Sequence, residues 1–292
     1  MPVFLYGGRR LHYLVRGCGA PTLLIHGLGA SGADWAFQVP ALEAQFHVIV
    51  PDLPGCGHSA APESGYSIPG MATALWALLD TLELQRPNIV GFSLGGAVAL
   101  EMALQRPESV PRLALINSLA NYRINHWSKW CKARLDASLV RSFGMRRIAP
   151  MIAARLFPQP WQRPMRERAH SVISAVPAAT YLAMARALER WTAIERLDTL
   201  RSRILMIAAQ SDYTPLAEKR EMAARLRADI VVVRGSRHGT PFDSIALTNA
   251  CLSALLNDRA LPAPESWVCD EPQSAPPAAP QDSIAAEHAA GP

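Results

Sequence analysis

The chain has 292 residues, 50% of them hydrophobic and 18% charged, with a formal net charge of +5. That length accommodates one large domain or two small ones, and the composition is that of a globular chain with a sizeable core, which excludes disordered and fibrous classes. Residues 1–8 lack the charged-then-apolar pattern of a leader, and no apolar run approaches the roughly 20 residues of a membrane helix. The cysteines (Cys18, Cys56, Cys131, Cys251, Cys269) are odd in number and scattered without a CxxC, so reduced thiols in a cytoplasmic protein are expected. The charge is unevenly spread. Residues 121–197 hold 14 basic and 4 acidic side chains, residues 258–292 hold 1 basic and 6 acidic, and the remainder is balanced.

Apolar runs at 3–6 and 11–15 read as strands. The run Thr22-Leu23-Leu24-Ile25 predicts a buried strand ending at His26-Gly27. Residues 32–46 place Trp35, Val39, Leu42 and Phe46 on one helical face, with Pro40 marking a kink or a second start. A strand at 47–50 precedes a Pro/Gly loop, and 71–84 reads as a helix on Leu75, Leu78, Leu79 and Leu82. Asn88-Ile89-Val90 leads into Gly91, a helix follows over 95–105, and 113–116 is a further strand. From 121 to 197 the pattern is helical only; strands return at 204–207 and 230–233, and a last helix covers 241–256. Such alternation predicts an α/β architecture: a mostly parallel central sheet with flanking helices and an inserted helical segment. The core is then 1–120 with 198–257, the insertion 121–197, and the Pro/Ala-rich acidic stretch 258–292 a disordered tail.

The strongest local signal is Gly91-Phe92-Ser93-Leu94-Gly95, a G-x-S-x-G between a strand and a helix. In so tight a turn the residues two before and two after the serine pack together, so neither can carry a large side chain. The turn lifts Ser93 Oγ above the sheet edge, with the positive end of a helix beneath it. A serine needs a base held by a third group. Of the eight histidines, His238 lies in the loop after the last core strand, in Gly235-Ser236-Arg237-His238-Gly239, from which it can reach Ser93. The acid should follow an earlier strand. Asp212 does so, in Gln210-Ser211-Asp212-Tyr213-Thr214-Pro215, whereas the strand at 113–116 is followed by Asn117, which cannot be an anion. Asp243 and Asp198 are the competing carboxylates, in helical or helix-end contexts. Oxyanion donors are expected from the backbone N–H groups of Leu28, in the loop His26-Gly27-Leu28-Gly29, and of Leu94. His26 itself is expected to orient that loop.

Over residues 1–257 the sequence resembles the α/β-hydrolase superfamily. The resemblance rests on His26-Gly27-Leu28-Gly29, Asp52-Leu53-Pro54-Gly55-Cys56-Gly57-His58-Ser59, Gly91-Phe92-Ser93-Leu94-Gly95-Gly96, Asp212 and His238, in that order. It implies an α/β-hydrolase fold, a structural role for the 52–59 loop, and a cap or lid made by the insertion. It departs from the common pattern at Arg237, where many members have glycine before the histidine. Ser93 sets the chain apart from the members that use an aspartate nucleophile. The implied activity is a serine hydrolase acting on a carboxylic ester, lactone or thioester through an acyl-enzyme, with a small-molecule acyl substrate. No metal or organic cofactor is expected, since no His/Cys cluster has zinc-site spacing. A non-catalytic ligand receptor or interaction module on the same scaffold is the competing reading.

Two expectations concern the insertion. Its large aromatics Trp127, Trp130, Phe143, Phe157 and Trp161 are expected either to fill a small helical core or, some of them, to roof an apolar acyl pocket, with Trp127 and Trp161 the foremost candidates. Its basic excess is expected to be either a solvated surface or a site for an anionic partner, such as an acyl carrier, an anionic substrate or a lipid surface. Nucleic acid is not expected, since no recognition motif accompanies the charge.

Overall fold

The computed structural model describes residues 2–62, 65–124 and 127–269. Among these residues, eight strands form one sheet: β1 (Val3–Tyr6), β2 (Arg9–Arg16), β3 (Ala20–Ile25), β4 (Phe46–Pro51), β5 (Asn88–Phe92), β6 (Arg112–Ile116), β7 (Arg203–Ala209) and β8 (Asp229–Val233). Their spatial order is β1-β2-β4-β3-β5-β6-β7-β8. The β1/β2 and β2/β4 pairs are antiparallel, and β3 to β8 pair in parallel. Strands β2, β6, β7 and β8 begin before the apolar runs that announce them, because Arg9, Arg112, Arg203 and Asp229 at their starts are still held in the ladder.

Alternation along each strand sorts side chains to two faces. Leu23, Ile25, Ile89, Leu113, Leu115, Ile204 and Met206 join one apolar cluster with the helices α2 (Ile68–Thr81) and α3 (Leu94–Gln105). Leu24, Val90, Ala114, Ile116, Leu205 and Ile207 join the other, with α1 (Val39–Leu42) and the helix at Ile245–Leu256. Every residue of β5 is buried, as a central parallel strand covered on both faces requires.

The expected helix over 32–46 is instead a 3-10 turn at Gly32–Trp35 followed by α1, with Pro40 in its first turn, where a missing N–H costs nothing. Helix α2 starts three residues earlier than expected, because the Ser67 side chain caps it by accepting from Gly70 N at 3.0 Å. Between β6 and β7 lie α4 (Trp127–Leu156), broken at Gly144 with φ 70°, then α5 (Arg163–Ala175) and α6 (Ala178–Glu189). The two ends of this insertion meet: Asn121 bridges Thr192, and Ala193 N donates to Ala120 O at 2.8 Å. After β7 comes α7 (Leu216–Leu226), and after β8 the expected last helix is two, α8 (Thr240–Asp243) and α9 (Ile245–Leu256), separated at Ser244.

Residues 258–269, expected to belong to a disordered tail, are instead held against the core. Arg234 N donates to Trp267 O at 2.8 Å and Cys269 N to Arg234 O at 2.9 Å, and Leu261 and Trp267 pack on the core. Residues 270–292 lie outside the described residues. No single helix among the described residues is long and apolar enough to cross a membrane.

Candidate active site

Five loops leave the C-terminal ends of neighbouring parallel strands at one edge of the sheet, the usual place for a site in such a fold. After β5 the chain turns sharply at Ser93, whose backbone sits at φ 55° and ψ −118°. A non-glycine residue held there costs about 1–3 kcal/mol. The surrounding glycines make the turn possible. A Cβ on Gly91 would run into the Gly95 carbonyl, and one on Gly95 into the Ile25 and His26 carbonyls. Ser93 N donates to Ile116 O at 2.9 Å, which ties the turn to β6.

His238 arrives from the loop after β8 and is 5% exposed. Its Nε2 lies 2.9 Å from Ser93 Oγ and its Nδ1 lies 2.8 Å from Asp212 Oδ1. The Asp212 carboxylate can only accept, so Nδ1 carries the proton and Nε2 accepts from the serine hydroxyl. Asp212 accepts further from Tyr213 N (2.7 Å), from Thr214 Oγ1 (2.7 Å) and from Lys219 Nζ. The competing carboxylates are employed elsewhere. Asp243 accepts from Ser236 Oγ at 2.7 Å, and Asp198 sits in the 3-10 turn Ile194–Thr199 before β7.

Burial pushes the His238 imidazole below its ordinary 6.5, more than the Asp212 carboxylate beside it raises it. The Tyr213 ring, 4.1 Å away between centroids, and the Phe92 ring at 5.2 Å supply that apolar surrounding. Burial raises the Asp212 carboxyl, but the hydrogen bonds and charges of His238 and Lys219 outweigh it and hold it below the usual carboxylate range. Lys219 is itself fully buried, and that burial lowers its ammonium pKa against the pull of Asp212.

Two residues of this site are connectors that sequence reasoning missed. Asn117, at the end of β6, donates from Nδ2 to His238 O (2.8 Å) and Thr240 Oγ1 (2.7 Å), and accepts at Oδ1 from Ala209 N (2.7 Å) and Lys219 Nζ (3.3 Å). One amide thereby joins the loops after β7 and β8. Lys219 lies on α7, whose buried residues Lys219, Met222 and Ala223 share one face at i, i+3 and i+4. That spacing was the available signal for an inward lysine.

The glycine loop after β3 packs beside the serine: a Cβ on Gly27 would lie 3.4 Å from Ser93 Cβ. His26 is buried and, as expected, holds this loop, with Nε2 accepting from Leu53 N at 3.0 Å and Nδ1 donating to Gly27 O at 2.9 Å. Leu28 lines the space in front of Ser93. Leu94 is the first residue of α3, where a backbone N–H has no acceptor within the helix. Asp52 secures the neighbouring 52–59 loop by accepting from Gly32 N (2.7 Å) and His58 N (3.0 Å). Asp52, His12 and His58 are the grouping at metal-ligand spacing among the described residues, but the carboxylate is already engaged in holding these loops.

Ser93, His238 and Tyr213 open on a cavity of about 1110 Å³ between the sheet edge and the inserted helices. Next to the serine it is lined by Phe92, Phe157, Phe242 and Met165. Trp127 and Trp161, expected to roof it, are not among its lining residues. Trp127 is 73% exposed, and Trp161 packs on the apolar cluster beneath the sheet face. Trp130 and Phe157, two of the insertion's other candidate aromatics, line it instead.

Residues 21–243 match the model of the alpha/beta hydrolase fold family. The chain belongs to the α/β-hydrolase family. As an α/β-hydrolase with relatives that are named hydrolases, it is a hydrolase. It is 34% identical over 230 residues, 76% of this chain and 88% of the relative, to a protein of Pseudomonas syringae named "Putative carbamate hydrolase RutD". Among solved structures, the enol-lactonase from Burkholderia xenovorans superposes with a TM-score of 0.80 at 26% identity, covering 88% of this α/β-hydrolase and 100% of the lactonase. An esterase from Thermogutta terrifontis superposes with a TM-score of 0.76 at 26% identity, covering 88% and 96%.

Proposed function

We propose that this hydrolase cleaves carboxylic-ester-like acyl bonds through an acyl-enzyme on Ser93. The observation that carries the reading is the unbroken hydrogen-bond line from Ser93 Oγ through His238 to Asp212, opening on a large cavity. As Oγ attacks the substrate carbonyl, its proton passes to His238 Nε2, and the Asp212 carboxylate steadies the imidazolium. The negative charge that develops on the carbonyl oxygen is met by the N–H groups of Leu28 and Leu94, at the positive end of α3. His238 then gives its proton to the leaving oxygen, and a water attacks the acyl-enzyme by the same route in reverse. The lactonase and esterase neighbours support ester chemistry, and the carbamate-hydrolase relative places carbamates among the substrates worth testing.

The test is covalent labelling by a fluorophosphonate, read by intact mass and peptide mapping, together with turnover of p-nitrophenyl esters, lactones, thioesters and carbamates. Stoichiometric labelling at Ser93 with turnover of at least one ester is expected. An unlabelled, inert protein would overturn the reading in favour of a non-catalytic ligand-binding role. The pH profile gives a second check. His238 must be neutral to accept the proton, and its pKa is lowered. So kcat/KM should be level at neutral pH and fall as pH drops through a midpoint below 6.5, the ordinary histidine value. A midpoint above that value would contradict the buried base.

A further inference from the structure

The basic excess of the insertion is not confined to its outer surface. Arg134, Arg141, Arg155, Arg168, Arg186 and Arg190 all line the cavity. On α4, Arg134 and Arg141 lie seven residues apart on the same helical face as Trp130, Ala137 and Val140, which also line it. Arg155 shares a face with Met151 and Ile152, and Arg168 with Met165 and Val172. Helix α6 repeats the pattern with Arg186 and Arg190 beside Leu182 and Ala185. Each inserted helix thus turns toward the cavity a face that mixes aliphatic residues with arginine. Arg168 is half-buried and the other five are exposed, so the arginines stand where the cavity meets solvent.

The carboxylates in the same wall leave this charge largely unbalanced. Asp136 is paired with Lys132. Burial pushes the Asp34 carboxyl up to about 7, against the pull of Arg168, and Glu189, though raised by burial, faces Arg186, Arg190 and Arg134. Arg141 and Arg155 have no carboxylate partner among the described residues. Arginine stays protonated throughout the working pH range, and its planar fork fits carboxylate and phosphate oxygens. The cavity therefore presents aromatic side chains near the catalytic histidine, where Phe92, Phe242 and Phe157 pack in series, and arginines interspersed with aliphatic residues along the inserted helices.

We propose that the site selects amphiphilic acyl substrates, with an apolar chain next to the scissile carbonyl and a carboxylate or phosphate at the far end that the cavity arginines receive. This inference rests on the ester-hydrolase reading for its chemistry but not for its binding. The anion is taken inside the cavity, so a small soluble substrate fits it better than a flat lipid surface.

The test compares p-nitrophenyl hexanoate with the mono-p-nitrophenyl ester of adipate, which has the same chain length and ends in a carboxylate. At low salt the adipate ester is expected to show a kcat/KM at least about tenfold higher, the order of one charge-assisted hydrogen bond. That ratio should shrink as salt rises, since the Debye length is about 10 Å at 0.1 M. In the double variant Arg141→Gln, Arg155→Gln the ratio should also fall severalfold. Adipate and hexanoate are also titrated calorimetrically into the Ser93→Ala variant, where adipate should bind the tighter. A ratio near one, insensitive to salt and to the double variant, would overturn the inference while leaving ester hydrolysis standing. Tighter adipate binding by a protein that turns over no ester would uphold the anion site and defeat the hydrolytic reading instead.

Discussion

Ser93→Ala is expected to abolish fluorophosphonate labelling and to lower kcat for the best ester by about 10⁴-fold or more. The substitution removes the atom that forms the acyl-enzyme and little else. Ser93 Oγ donates to His238 Nε2, and the backbone around it is held by bonds that alanine keeps, from Ser93 N to Ile116 O and from Gly96 N to Ser93 O. The strain at φ 55° is the same for alanine, so the elbow should persist and the melting temperature should stay close to that of the parent. Residual turnover above the water rate is expected, since the N–H groups of Leu28 and Leu94 and the cavity survive. The decisive comparison is kcat of purified parent and variant at matched folded fraction. Turnover by the alanine variant within tenfold of the parent would remove Ser93 from the mechanism.

The legible parts of this molecule are those where one residue type is physically obligatory. Gly91 and Gly95 announce the elbow because any side chain there meets a carbonyl. The continuous apolar runs announce the sheet because both its faces are covered. Asp212 could be chosen over the position after β6 because Asn117 cannot ionise. What Asn117 does instead, joining the loops after β7 and β8, was not legible, since its partners are mostly backbone groups that the sequence does not distinguish. Lys219 was hidden in Glu218-Lys219-Arg220-Glu221, a run that reads as a solvent face until the register of α7 turns one of its members inward. The roofing aromatics were legible only in part for a related reason: counting aromatics in a helical insertion does not say which of them face inward, and Trp130 and Phe157 line the cavity while Trp127 and Trp161 do not. Residues 258–269 read as tail because their composition is polar and Pro-rich. Leu261, Trp267 and Cys269 nevertheless suffice to anchor them to the core.

Asp212→Asn is expected to lose two separable things, activity and stability, because the aspartate serves both His238 and Lys219. An amide in its place can donate to Nδ1, which favours the tautomer with the proton on Nε2. That tautomer cannot accept from Ser93, and the imidazolium also loses its counter-charge, so kcat should fall by about 10²–10⁴. At the same time the fully buried Lys219 ammonium is left without an anion, a loss of about 3–5 kcal/mol. At about 2–4 °C per kcal/mol for a domain of this size, the melting temperature should drop by about 10 °C. Adding Lys219→Met removes the stranded charge, so the double variant should regain most of the lost stability and none of the lost kcat. Lys219→Met alone should act as the loss of a positioning residue. The Lys219 charge lowers the His238 pKa, so removing it should move the acid limb of the kcat/KM profile to higher pH, with a smaller loss of kcat than Asp212→Asn. The cycle is read by calorimetry for stability and by pH-dependent kinetics for the base. Recovery of activity in the double variant would mean that Asp212 acts only by neutralising Lys219. An acid limb unmoved in Lys219→Met would mean that the lysine only holds the loop.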